Sequence, residues 1–514
     1  MSSTSRIQKS IANARVNVIF YVLSILLAFF SRKYFLQNLG TEFLGLSGTL
    51  GDMLNLMNIT ELGIGTAVGV TLYKPLFGND KDTINDIISV FGFLYTRVGT
   101  LIAFAGIVLS CFFPIIFKDA GLPLYLPYFM FYSMLYASLL GYFINYRQII
   151  LSASQQEYIV VARYQITMTI KILLQIATSF LSYNYIWWVT LEALTITIYS
   201  IILNKTIYHH FPWLDTSIIR GKAKFKEYIH LWTKTKQVFV LKVSNVIFNS
   251  ATNVLTASLA SLSMVAIYGS YSILMTKITN LFDSLFSGMG ASVGNLIAEG
   301  KKENIMKVFF ELLCIRYFVA GMCSITLYYV VSPFISIWLG SEYILPGIIV
   351  TLLSAHVFIK QARITVDDFK NGYAIYDDVW APIAEVIIFL GLAVVLGYFY
   401  GLAGILIGMV TSELLIKMLW KPYYLFKKGF ETSVLTHYWP VVVKYFVSFA
   451  LCILCTSFLS FKYKQLFDVS GWVMVLIYCA VMGVTVLVTL SILFLILDKN
   501  FMGFVKRLLN YFKK

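Results

Sequence analysis

The chain has 514 residues, of which 59% are hydrophobic and only 13% are charged, and its formal net charge at pH 7 is +15. This small number of charged residues cannot cover the surface of a soluble protein of this length. The composition therefore excludes the soluble globular classes. The basic surplus falls on short loops between apolar runs, where membrane proteins carry their orientation signals, which argues against a nucleic-acid partner.

Apolar runs long enough to cross a bilayer as helices recur from one end of the chain to the other. They predict an all-α polytopic membrane protein with about 14 transmembrane helices. Most of the lysines and arginines lie on loops that place both termini in the cytoplasm. The predicted spans lie near 14–38, 42–76, 84–116, 122–147, 158–181, 186–207, 237–259, 264–297, 305–331, 343–366, 379–397, 401–420, 437–458 and 471–497.

The two halves of the chain share landmarks that indicate an internal duplication. The same number of residues separates Pro114 from Pro333, Leu126 from Leu345, and Arg97 from Arg316. An even number of helices in each repeat predicts two parallel six-helix lobes that face each other across a cavity. The predicted domains are an N-lobe of helices 1–6 at 1–207, a basic cytoplasmic linker with an interfacial helix at 208–236, a C-lobe of helices 7–12 at 237–428, and helices 13–14 with a cytoplasmic amphipathic tail at 429–514.

Glycine clusters recur late in the second and eighth spans, where GIGTAVG (63–69) reappears as GMGASVG (288–294). Both runs are too long for one straight crossing, so the clusters are candidate hinges at which the helices bend or break. Close packing of neighbouring helices is the alternative interpretation. The candidate hinge residues are Gly63, Gly65, Gly69, Gly288, Gly290 and Gly294.

Charged residues near the middle of the predicted spans include more cations than acids. A charge at the bilayer centre costs about 2.5–3.5 kcal/mol on insertion scales, so each one needs water, a partner or a ligand. One hypothesis is a cationic cavity that holds an anionic ligand, and arginine suits a phosphate or pyrophosphate best. Ion pairs within each bundle are the alternative. The candidate cavity residues are Arg97, Arg316, Lys277, Lys171, Arg32 and Lys33.

Four acidic residues in the spans are candidates for ion coupling or for salt bridges: Asp52, Glu61, Asp283 and Glu413. Lys417 lies near a predicted cytoplasmic end, where its side chain can reach the interface. The sequence contains no phosphate-binding loop, metalloprotease motif or nucleophile elbow, and no histidine stands at metal-ligand spacing from another ligand. We therefore expect a transporter rather than an enzyme, with neither cofactor nor metal.

The stretch RKYFLQNLGTEFLGLSGTLGDMLNLMNITELGIGTAVGVTLYKPL (32–76) contains LG-x-E-x-LG-L at 39–46 and then ELGIG and LYKPL. It resembles the bacterial polysaccharide flippases, which export O-antigen and capsule repeat units and belong to the multidrug/oligosaccharidyl-lipid/polysaccharide (MOP) superfamily. The resemblance implies MATE-like lobes that work by alternating access in the bacterial inner membrane. The implied substrate is an undecaprenyl-pyrophosphate-linked oligosaccharide.

Three kinds of partner are expected besides this substrate. Basic amphipathic stretches at Phe225–Trp232 and Phe501–Phe512 predict contact with anionic phospholipids of the inner leaflet. The resemblance further implies a polysaccharide polymerase and chain-length machinery. The alternatives are a lipid II flippase, a multidrug/cation antiporter, which would need buried acids and aromatics, and a polysaccharide polymerase, which would need a large outer loop.

Overall fold

The computed structural model describes residues 3–58, 64–118, 121–228, 246–248, 250–286, 293–294, 296–297, 299–373, 375, 377–466, 471–499 and 501–502. Every regular element in these ranges is a helix, which confirms the all-α class. Ten of the described helices are long and apolar enough to cross a membrane. The chain is therefore a multi-pass membrane protein.

Hydropathy located four of the helices closely. The spans predicted at 158–181, 186–207, 379–397 and 471–497 correspond to the helices Glu157–Thr178, Asn184–His210, Trp380–Tyr400 and Trp472–Leu497. The agreement follows from the abrupt change between apolar and polar residues at the edges of the bilayer core.

The boundary between the first two predicted spans falls at a glycine. Ser3–Met57 is continuous except at Gly40, whose φ of 81° and ψ of 167° interrupt the helix. Glycine adopts this conformation without the steric cost that a Cβ imposes. The second span resumes as Ile64–Gly78. Glu61 and Gly63, and in the second half Gly288 and Gly290, lie outside the described residues.

The chain divides into two compact units, Met1–Gly269 and Ser270–Lys514. In the first unit, the rings of Phe43 and Tyr185 stack with their centroids 4.7 Å apart, and Trp188 packs edge-on against Phe43. The helices of this unit are Ser3–Met57, Ile64–Gly78, Lys81–Ser110, Phe113–Ile116, Tyr125–Phe143, Ile149–Ala153, Glu157–Thr178, Asn184–His210 and Ile218–Lys224, with a 3₁₀ turn at Asn145–Gln148. Val246–Leu259 follows, and Leu262–Leu285 continues into the second unit.

The short helix Ile218–Lys224 is fastened to Lys81–Ser110 of the same unit. Arg220 Nε donates to Asp86 Oδ1 over 2.5 Å, and a Cβ on Gly221 would lie 2.0 Å from the Ser89 carbonyl oxygen. Only glycine permits this approach. The start of the predicted linker is thus packed on the first unit. Residues 229–236 of the linker and 503–514 of the tail, where the rest of the predicted interfacial helices would lie, are outside the described residues.

The second unit contains a pair of tightly packed helices. Trp380–Tyr400 turns at Gly401 into Leu402–Glu413, and a Cβ on Gly404 would lie 2.0 Å from the Leu396 carbonyl oxygen. Small residues spaced in this way let transmembrane helices approach closely. The other helices are Lys302–Trp338, Gly347–Ala362, Ile364–Gly372, Lys421–Leu425, Val434–His437, Trp439–Leu466 and Trp472–Leu497, with a 3₁₀ turn at Ser341–Tyr343 and π-helical segments at Leu414–Trp420 and Phe426–Phe430.

Candidate functional site

The predicted repeat pairs two arginines, and these two residues lie in different surroundings. Arg97 is exposed on the first unit, with its guanidinium 5.3 Å from the centroid of the Phe93 ring. Arg316 is only 4% exposed in the second unit, and its guanidinium lies 4.4 Å from the centroid of Phe286. Its Nη1 has no hydrogen-bond partner within the described residues. A role for both arginines at one ligand stays a prediction.

Lys171 takes part in an ion pair within the first unit. Its Nζ lies 2.8 and 2.9 Å from the two carboxylate oxygens of Glu192, and Gln175 Nε2 donates to Glu192 Oε2 over 3.3 Å. This is the ion-pair alternative that the sequence left open for cations in the spans. Glu192 was not among the predicted site residues.

The remaining cationic candidates have separate environments. Arg32 Nη2 donates to the carbonyl oxygen of Ala266, and Gly269 leaves room for this guanidinium, because a Cβ there would lie 3.2 Å from Nη2. Lys33 and Lys277 are partly exposed, in the helices Ser3–Met57 and Leu262–Leu285 respectively. Lys33 forms no ion pair among the described residues.

Two of the acidic candidates accept hydrogen bonds from amides. Asn253 Nδ2 donates to Asp52 Oδ2 over 2.5 Å, and Gln361 Nε2 donates to Asp283 Oδ1 over 3.1 Å. Neutral partners of this kind hold a carboxylate in place without neutralising its charge. Asp283, together with Asp368, also interacts electrostatically with Arg316.

Glu413 belongs to a buried network of charges in the second unit, which we call the Lys417 network. The Glu413 side chain is 1% exposed and lies 2.8 Å from both His356 Nδ1 and Lys417 Nζ. Lys417 Nζ is also 2.8 Å from Glu385 Oε1. The sequence-based expectation that Lys417 reaches the interface is wrong, because this side chain is buried between two carboxylates.

The Lys417 network lies on an irregular stretch of helix. Lys417 belongs to the π-helical segment Leu414–Trp420, and a second such segment follows at Phe426–Phe430. Nearby, Asp367 pairs with Arg363 over 2.7 Å and with Lys421 over 2.6 Å. π-Helical turns are rare and occur frequently at functional sites. This part of the second unit is therefore a candidate for a functional element.

Sequence reasoning missed most members of these clusters, although one signal was available. Glu413 and Lys417 stand four residues apart, as do Arg363 and Asp367, which is the spacing of helical ion pairs. Glu385 lies on another helix, and its pairing with Lys417 depends on the tertiary fold. Within the described ranges, no group of three or more histidine, cysteine or acidic residues could hold a metal ion.

Three of the six candidate hinge glycines fall on described residues. A Cβ on Gly65 would lie 3.5 Å from Tyr95 Oη, and one on Gly69 would lie 3.8 Å from Ile149 Cδ1, which are ordinary packing distances. A Cβ on Gly294 would meet nothing within 4 Å. These contacts do not distinguish a hinge from close packing, so the hinge role stays a prediction.

No protein-family model matches the chain, and no curated protein sequence matches it. Solved structures do. One described as "Lipid II flippase MurJ, inward closed conformation" aligns with a TM-score of 0.66 at 16% identity, over 95% of this chain and 98% of that chain. An inward-facing multidrug resistance MATE family transporter of the MOP superfamily aligns with a TM-score of 0.55 at 14% identity, over 79% of this chain and 96% of that one.

Identities this low carry an argument about fold and none about substrate. The MurJ alignment spans nearly all of both chains, and these two structures are described as a flippase and a transporter. The chain therefore has the fold shared by the MurJ flippase and the MATE transporters of the MOP superfamily.

Proposed function

We propose that this protein is a flippase that moves an undecaprenyl-pyrophosphate-linked oligosaccharide repeat unit across the bacterial inner membrane by alternating access. It would supply the synthesis of a surface polysaccharide, an O-antigen or a capsule. The observation that carries the proposal is the likeness to the MurJ flippase over 95% of the chain. The motifs of residues 32–76 narrow it to the polysaccharide branch.

The extent of the two alignments supports a lipid-linked substrate. MurJ matches 95% of this chain and the MATE transporter matches 79%. Part of the chain therefore has a counterpart in the MurJ structure but not in the MATE structure. MurJ is described as a lipid II flippase. A transporter for soluble organic cations explains this additional matched part less well.

The charges in the spans support an anionic head group. Arg316 is buried with an unpartnered Nη1 among the described residues, and Arg97 presents a guanidinium that no carboxylate neutralises in the described part of the chain. Guanidinium groups bind phosphate oxygens in bidentate fashion. We assign these two arginines to the pyrophosphate, with Lys277, Lys33 and Arg32 as further cations. The proposed lobes are residues 1–207 and 237–428, with both termini in the cytoplasm.

The test is a deletion strain in which lipid-linked oligosaccharides and surface polysaccharide are assayed together. Complete repeat units trapped on the cytoplasmic face, with no surface polymer, are expected. Single units that reach the outer face without polymerising would indicate a polymerase instead. Loss of viability with accumulated lipid II would favour the lipid II branch, and drug sensitivity with normal polysaccharide would favour a MATE-type antiporter.

Site variants in the same strain test the assignment of the arginines. The double variant Arg97→Gln/Arg316→Gln is expected to abolish export while its level in the membrane stays normal. Arg97→Lys/Arg316→Lys keeps both charges but not the planar fork, so partial export is expected. Lys444→Gln, at an exposed position, is the matched control. Full export by the double glutamine variant would contradict the assignment.

A further inference from the structure

The first unit encloses a cavity that the site described above does not use, which we call the tyrosine cavity. Its volume is about 380 Å³, within the range of roughly 300–1,000 Å³ that is typical of small-molecule sites. Six of the residues that line it are Asn58, Phe91, Tyr95, Tyr142, Tyr146 and Gln148. They come from separate segments of this one unit, among them the helices Lys81–Ser110 and Tyr125–Phe143, so the cavity depends on its internal packing.

One side of the tyrosine cavity is aromatic, and glycines make room for its rings. The centroids of Phe91 and Tyr95 are 4.0 Å apart, and those of Tyr95 and Tyr142 are 5.4 Å apart. A Cβ on Gly92 would lie 2.7 Å from Cε2 of Tyr146, so only glycine allows this tyrosine its present position. The rings are therefore held in place by packing.

Neutral polar groups line the same cavity. Asn58 Oδ1 accepts hydrogen bonds from Ser138 Oγ and Tyr142 Oη, both over 3.1 Å. These bonds fix the orientation of the Asn58 amide, and its N–H groups have no acceptor within the described ranges. The Gln148 amide and the Ser152 hydroxyl also line the cavity, and neither donates a hydrogen bond in the described part of the chain. The cavity thus offers unused donors, and those of Asn58 are held in one orientation.

The charges around the tyrosine cavity limit the chemical class of ligand that it can bind. None of the described residues that line it is a lysine or arginine, and the one charged residue among them, Glu157, is exposed, so this part of the wall offers a phosphate no cation. An organic cation held deep in the cavity would find no buried carboxylate among the described lining residues to compensate for its desolvation. A polyprenyl chain would leave the amide groups buried without partners. A neutral ligand rich in hydroxyl groups can pack on the rings and form hydrogen bonds with the amides.

We propose that the tyrosine cavity is a sugar-binding subsite that takes one or two residues of the transported oligosaccharide. The proposal rests on the proposed function and extends it to the carbohydrate part of the substrate. The C–H face of a pyranose packs on an aromatic ring, whose π face is negative. Its hydroxyl groups accept from and donate to planar amides such as those of Asn58 and Gln148. Sugar recognition would thus be located within the first unit.

A binding experiment on the full-length protein in nanodiscs tests this subsite. The probe is the free repeat-unit oligosaccharide released by depolymerising the surface polysaccharide of the strain that encodes the chain. Asn58→Leu and Gln148→Leu remove the amides at similar volume and are each expected to weaken binding at least tenfold. Gln37→Leu makes the same kind of change at an exposed position outside the cavity and is expected to leave the affinity unchanged.

Three outcomes would overturn the subsite: no binding of the oligosaccharide to the wild type, equal binding by all variants, or displacement of the oligosaccharide by tetraphenylphosphonium, an organic cation. Thermal unfolding midpoints of the variants check that each one is folded, and Ser152→Ala provides a milder second change on the same wall. The deletion strain distinguishes the two proposals. If repeat units are trapped there but the cavity variants bind like the wild type, the subsite fails and the flippase stands.

Discussion

The two units treat the charges inside their helices in different ways. In the second unit, Lys417 lies between Glu385 and Glu413, and His356 contacts Glu413 from the other side. In the first unit, Lys171 pairs with Glu192 alone. The first unit places uncharged amides and tyrosines around an open cavity, whereas these charges of the second unit are fully engaged with one another.

This difference indicates a division of tasks. A buried network in which each charged group contacts an oppositely charged one is strongly destabilised when one member is lost. The N–H groups of Asn58, which donate no hydrogen bond within the described residues, do not stabilise the fold and are available to a ligand. We therefore expect substitutions in the Lys417 network to affect stability first, and substitutions in the tyrosine cavity to affect binding first.

The largest expected effect is that of Lys417→Met. It leaves Glu385 and Glu413 buried without their cation, and removal of one partner from a buried ion pair costs about 3–5 kcal/mol. Lys171→Met strands only Glu192, which keeps its hydrogen bond from Gln175, so a smaller loss is expected. The measurement is the free energy of unfolding of the purified protein in detergent. Lys444→Met, at an exposed lysine, serves as the control.

If Lys417→Met and Lys444→Met unfolded at the same denaturant concentration, the contrast between the units would be wrong. The second change that sharpens this test is Glu385→Gln in the Lys417→Met background. It removes one of the two stranded carboxylates, so part of the lost stability should return.

Hydropathy was sufficient to place the helices because the bilayer imposes their length and composition, as the match of 186–207 to Asn184–His210 illustrates. The break at Gly40 was likewise visible as an interruption between two apolar runs.

The partners of charged residues were much harder to predict. The predicted repeat gives Arg97 and Arg316 equivalent positions, yet one is exposed and the other buried. Burial depends on which helices pack around each residue, which a single sequence does not reveal.

Glycine contacts provide the next test, because the obstacle differs between the units. A Cβ on Gly404 in the second unit would meet the backbone of Leu396 at 2.0 Å, and one on Gly92 in the first unit would meet the ring of Tyr146 at 2.7 Å. Overpacking costs typically about 1–3 kcal/mol, and a side chain moves more easily than a backbone. Gly404→Ala should therefore destabilise more than Gly92→Ala.

Gly92→Ala should instead affect the ligand, since a displaced Tyr146 alters the wall of the tyrosine cavity. Weaker oligosaccharide binding at nearly normal stability is expected for this variant. Gly391→Ala is the control, because a Cβ there meets nothing within 4 Å and alanine favours the helix. A larger loss of stability in Gly92→Ala than in Gly404→Ala would reverse the comparison.

The paired arginines give a moderate effect. Arg316→Gln removes a buried guanidinium stacked over Phe286, an interaction worth about 2 kcal/mol when desolvated, and a lower thermal midpoint is expected. Arg97→Gln changes an exposed residue and should leave the midpoint unchanged while lowering export. Equal losses of stability in the two single variants would contradict this contrast between a buried and an exposed arginine.

The smallest effect is expected where charges of the second unit meet water. Glu431 accepts a hydrogen bond from Lys302 over 2.7 Å, and this bond lowers the pKa of the Glu431 carboxyl. A carboxyl whose folded-state pKa is lowered stabilises the protein above its unfolded pKa and loses that contribution as the pH falls through the folded pKa. Both side chains are exposed, so water and salt screen the pair.

The thermal midpoint of Glu431→Gln should therefore lie barely below that of the wild type at neutral pH. The difference between the two midpoints should disappear on acidification. A midpoint loss comparable to that of Lys417→Met would mean that burial is not what makes the Lys417 network strong.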